Sequence, residues 1–157
     1  VPQPVWRKVV PDLPVPKDNT KQWTLALEFL TAGKIIKIEA AGEWTPTGFT
    51  APCTADGDLS GAARGAFTPP GNPLVASAPI GALIARIGGS TADTGPDTPP
   101  TSSPPTVPAR IVLSVGRECV FTVPNAPTGS LFLGINDDPT RMLGITGSQT
   151  VNIYEAL

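Results

Sequence analysis

The chain has 157 residues, 40% hydrophobic and 15% charged, a length and balance that support one buried core and exclude a disordered polyelectrolyte. With 11 Lys and Arg against 13 Asp and Glu, the net charge of −2 gives no basis for capturing nucleic acid or an anionic membrane. The absence of His excludes Ser-His-Asp and Cys-His catalysis and imidazole-bound zinc within this chain, and 2 Cys do not make a structural zinc centre. The 20 Pro and 16 Gly interrupt regular structure often enough to predict short strands and many turns. The longest mostly apolar stretch, residues 74–87, is broken by Pro79 and Arg86 and falls short of the ~20 residues of a spanning helix, so no membrane insertion is expected. A chain that starts at Val1 without Met reads as a processed or trimmed protein.

In chain order, the first predicted strand covers residues 5–10 and closes at Pro11. Residues 11–21, with three prolines and two acids, read as a connector. Residues 22–31 (QWTLALEFLT) place Trp23, Leu25, Leu27 and Phe29 on one alternating face, expected to point to the core. Leu, Ala and Glu there also suit a helix, whereas Trp23, Thr24, Phe29 and the Ala32-Gly33 turn favour a strand. Past Gly33, Ile36, Ile38, Ala40 and Gly42 alternate with Lys37, Glu39 and Ala41 up to Trp44, so Ala32-Gly33 predicts an antiparallel hairpin.

Residues 45–79 are rich in Gly and Pro turns and lack periodicity, a long excursion of the kind that carries function. Residues 81–88 (GALIARIG) read as a buried strand. Residues 89–108 hold six prolines with Ser and Thr and read as a mobile insertion or a polyproline wall. Strands over 109–115, 118–123, 130–136 and 148–154 bring the total to about eight, with Gly116-Arg117 short enough for a hairpin turn. Short strands without convincing helices or βαβ alternation predict an all-β, antiparallel two-sheet β-sandwich in a single domain.

The segments AAGEW (40–44), GALIARIG (81–88), LFLGINDDP (131–139) and GSQTVNI (147–153), in this order, resemble the PA-IL-like galactophilic lectins. The resemblance spans residues 34–153. It implies a jelly-roll sandwich of galactose-binding-like type that takes galactose through a bound calcium, in a secreted, periplasmic or cell-surface bacterial setting. In that family a backbone carbonyl, an aspartate, a second carbonyl and two consecutive asparagine amides hold the ion. Matched without gaps over residues 131–153, the aspartate falls on Asp137, the second carbonyl on Arg141 and the two amides on Gly144 and Ile145; with Glu43 taken as a one-residue insertion, the first carbonyl falls on Thr47. Calcium takes six to eight oxygens, so the loss of both amides weakens or removes the family's calcium site; Asp138 is an extra carboxylate beside it. The family's His and Gln sugar contacts have no counterpart here.

Taken singly, Asn136-Asp137-Asp138-Pro139 reads as a metal loop or as a plain turn, and Asp56-Gly57-Asp58, without EF-hand spacing, as a turn. Trp23 is expected in the core, Trp44 either in the core or as a face for a sugar, and Trp6 as a staple or a partner contact. Cys53 and Cys119 either bridge in an oxidising compartment or remain thiols. Met142, Leu143 and Ile145 are expected as an exposed apolar loop tip. No spacing among Glu43, Asp56, Asp58, Asp137 and Asp138 selects a catalytic pair, so no enzyme is expected. The expectation is a non-catalytic carbohydrate-binding module, with Asp137, Asn136, Asp138 and Trp44 as sugar contacts and calcium on Asp137 and the Thr47 and Arg141 carbonyls. The alternative is a structural or adhesion module on that scaffold that has lost metal and sugar and contacts protein partners.

Overall fold

Short alternating strands separated by Gly and Pro bury their apolar faces by stacking sheet on sheet. The computed structural model, which describes residues 3–67, 73–88, 110–125, 129–138, 141 and 144–157, has that arrangement. Its strands are β1 (Trp6–Val15), β2 (Thr24–Leu30), β3 (Ile35–Thr45), β4 (Leu83–Gly88), β5 (Arg110–Ser114), β6 (Glu118–Thr122), β7 (Gly129–Ile135) and β8 (Thr146–Ala156). They form two antiparallel four-stranded sheets, β1-β8-β3-β6 and β2-β7-β4-β5. The all-β two-sheet sandwich read from the sequence is the fold, and its strand order is that of a jelly roll.

The main core lies between the sheets. Ile36, Ile38, Ala40 and Trp44 of β3 and Val151 and Ile153 of β8 meet Leu83, Ala85 and Ile87 of β4 and Leu131, Leu133 and Ile135 of β7. The second sheet is also covered on its outer face, where Trp23, Ile84 and Phe132 form a smaller cluster. There the Arg86 guanidinium lies 4.0 Å from the Phe132 ring centroid and 5.0 Å from that of Trp23. Burial on both faces explains why GALIARIG is a nearly unbroken apolar run.

Several expectations are corrected. The first strand continues through Pro11 and Pro14 to Val15, so the connector begins after it. β1 is an edge strand, where a missing N–H is tolerated, and register shifts between Lys8 and Val10 and between Val10 and Leu13 absorb the irregularity. In β2, shifts between Leu25 and Leu27 and between Leu27 and Leu30 break the alternation. Trp23 therefore faces the outer cluster while Leu30 joins the main core, and Phe29 is 76% exposed. Neither Ala32-Gly33 nor Gly116-Arg117 makes a hairpin: each turn carries the chain from one sheet to the other, so that the connected strands face each other across the sandwich instead of pairing.

Cys53 and Cys119 are free thiols. Cys119 pairs with Ile38, whereas Cys53 bridges Trp44 six residues along β3, about 20 Å away at ~3.3 Å per residue and beyond disulfide reach. The polyproline reading of 89–108 and the exposure expected of Met142 and Leu143 fall outside the described residues.

Candidate functional site

The long 45–82 excursion returns to the sandwich at the end of β3. Trp44 and Cys53 exchange backbone hydrogen bonds of 3.0 and 2.8 Å, and the Trp44 indole N–H donates to the Gly81 carbonyl at 2.6 Å. The ring is 1% exposed. Trp44 thus offers no open face to a sugar and serves as the post on which the excursion is hung. Gly81 fits this approach because a Cβ there would lie 2.7 Å from the Cys53 sulfur, and its φ of +88° is left-handed. Burial, reinforced by the Asp58 and Glu43 carboxylates, pushes the Cys53 thiol up to about 11.

Asn136, expected as a sugar contact, is fully buried and spends its amide on the returning loop. Its Oδ1 accepts from the Val75 N–H at 2.9 Å, and its Nδ2 donates to the carbonyls of Val75, Ala78 and Pro79 at 2.9, 3.1 and 3.1 Å. An Asn at the end of a buried strand is the residue type suited to this, since one planar amide supplies both donors and an acceptor.

The structure does bring Asp137, Thr47 and Arg141 together, though through the arginine side chain. Arg141 Nε donates to Asp137 Oδ1 at 2.9 Å, and its Nη2 donates to Asp137 Oδ2 at 3.2 Å and to the Thr47 carbonyl at 2.7 Å. The Arg141 carbonyl accepts from Thr47 Oγ1 at 2.9 Å, and the Asp138 N–H donates to Asp137 Oδ1 at 2.7 Å. The Phe67 ring, 4.9 Å from the guanidinium, closes one side. Both charged side chains are buried, at 8% exposure for Arg141 and 2% for Asp137. Three oxygens that would serve a calcium ion therefore face a guanidinium. At the two amide positions, Gly144 has φ +122° with its missing Cβ 2.9 Å from Thr47 Oγ1, and Ile145 is buried beside the core rather than exposed. These residues do not fit the calcium set that the lectin resemblance implies. Among the described residues no group of three or more His, Cys, Asp or Glu converges elsewhere.

The reading of the sequence missed a second feature. On the outer face of the first sheet, Glu39, Glu118, Arg117, Asp56, Thr150 and Asn152 line an open groove of about 570 Å3. Glu39 lies opposite Asn152 on β8 and Glu118 on β6, and Thr150 lies opposite Ala41. The Asp12 N–H donates to Asn152 Oδ1 at 3.0 Å and fixes that side chain. Asp56 accepts from the Arg117 N–H at 3.0 Å, tying the long excursion to the β5–β6 turn. The signal was available in the outward alternation of Lys37, Glu39 and Ala41, but only the strand pairing shows which polar residues share a face.

The same face continues to Trp6 and Tyr154, with the Lys37 ammonium 4.9 and 4.6 Å from their ring centroids. Compared with protein-family models and with curated protein sequences, the chain matches none.

Proposed function

We propose that the chain is a non-catalytic binding module that takes a neutral carbohydrate in the groove across β3, β6 and β8. The observation that carries this reading is the groove itself: three carboxylate residues, an Asn, a Thr and an Arg line one open surface of about 570 Å3. Sugar hydroxyls donate and accept at once, so a site that recognises them needs both kinds of partner held in place. Strand register supplies the placement. Glu39 and Glu118 stand directly opposite each other, an arrangement that disfavours the sheet unless offset, and Lys37 offsets it with an ion pair to Glu39 at 3.2 Å. The resemblance of the strand segments to galactophilic lectins supports a sugar as the ligand class; the buried Asp137 loop argues for a site other than the one that resemblance implies.

Asn152→Ala removes an amide from the groove, and Glu39→Gln removes a carboxylate charge that accepts from sugar hydroxyls. We expect each to weaken glycan binding by tenfold or more on a glycan array and in titration, with melting temperature nearly unchanged. Binding that is indifferent to both substitutions, or a protein that binds no glycan, contradicts the reading. The second reading, a protein-contacting module, is favoured by Val120 and Ile35 on this same face, 53% and 41% exposed.

A further inference from the structure

The cluster at Asp137 supports an inference that does not depend on the groove. The carboxylate is desolvated, and a buried charge persists only with a partner of opposite sign and satisfied hydrogen bonds. That partner is Arg141, four residues on. Its guanidinium bonds both Asp137 oxygens and then reaches the Thr47 carbonyl at 2.7 Å, on the loop that follows β3. The return bond, from Thr47 Oγ1 to the Arg141 carbonyl at 2.9 Å, closes a ring between two loops ninety-four positions apart in sequence. A planar cation with several fixed donors can join a carboxylate and a carbonyl from separate loops, which is also what a hard divalent ion does with oxygen ligands.

We propose that the Arg141 guanidinium is the resident cation of this cradle. It locks the Asp137 loop to the Thr47 loop without metal, and its removal converts the cradle into a weak calcium site. In the Arg141→Ala protein the two Asp137 oxygens and the Thr47 carbonyl lose their guanidinium donors and face one another across the vacated space. No side-chain oxygen from residues 144 and 145 adds to them, so affinity belongs at the weak end of protein calcium sites, with Kd on the order of 1 mM.

The test uses the full chain, with calcium chloride as the probe and sodium chloride at matched ionic strength as the control. Arg141→Ala is expected to melt roughly 10 °C below the wild type, as removal of one partner of a buried ion pair does. Calcium at about 10 mM then restores roughly 3 to 6 °C, and Asp137→Asn in the same background abolishes that gain. Arg141→Gln, which keeps a donor for Thr47, is the second variant should Arg141→Ala not fold, with the same calcium response expected. The proposal is overturned if either variant melts like the wild type, if the destabilised variants are indifferent to calcium, or if titration shows calcium binding to the wild type as well as to the variants.

Discussion

Asn136 and Asp137 illustrate how burial reassigns a polar residue. Both sit at the end of β7, both have the chemistry of a ligand site, and each finds its partners within the fold. Asn136 holds the 75–79 stretch through one acceptor and three donor contacts. Asn136→Ala leaves the Val75 N–H and three largely shielded carbonyls without their amide partner. It should destabilise by about 3 kcal/mol, read as a lower urea midpoint with an unchanged slope. An unchanged midpoint would mean that water replaces the amide and that the loop is not held by it. The role of Arg141 has the same origin. The Asp137-to-Arg141 spacing is visible in the sequence, but which of several acids an arginine meets depends on the path of the loop between them.

At the scale of elements, the alternation of β3 was legible because it is a central strand with one buried face, so period two maps directly onto core and solvent. β4 was legible for the opposite reason, since burial on both faces leaves a continuous apolar run. β1 and β2 are edge strands with register shifts, and there alternation and proline content lose their meaning. Sheet membership was not legible either: a Gly-containing turn of two residues suits a hairpin and a crossing between layers equally well. The 45–82 excursion lacked periodicity because its order comes from individual contacts, Trp44 to Gly81 above all. Gly81→Ala is expected to destabilise by about 2 kcal/mol, through left-handed backbone strain and the close approach to Cys53. Combined with Cys53→Ala it should fall short of additivity by about 1 kcal/mol, measured as a double-mutant cycle. Strict additivity would place the strain in the backbone alone.

Over the whole molecule, the jelly-roll order brings the loop after β3 and the loop between β7 and β8 together, so the Thr47 and Asp137 cluster is a product of topology rather than of local sequence. The segment resemblance to calcium-dependent lectins and the guanidinium in the cradle lead to opposite expectations for one observable. We would measure the melting temperature of the wild-type protein in calcium and in chelator, each with and without galactose. A ligand at 100 times its Kd contributes roughly 2.7 kcal/mol, a shift of about 5 to 11 °C for a domain of this size. With Arg141 holding Asp137 and Thr47, the calcium and chelator curves should coincide, both with galactose and without it. A calcium shift that grows with galactose would contradict the lock and return the sugar site to the Asp137 loop.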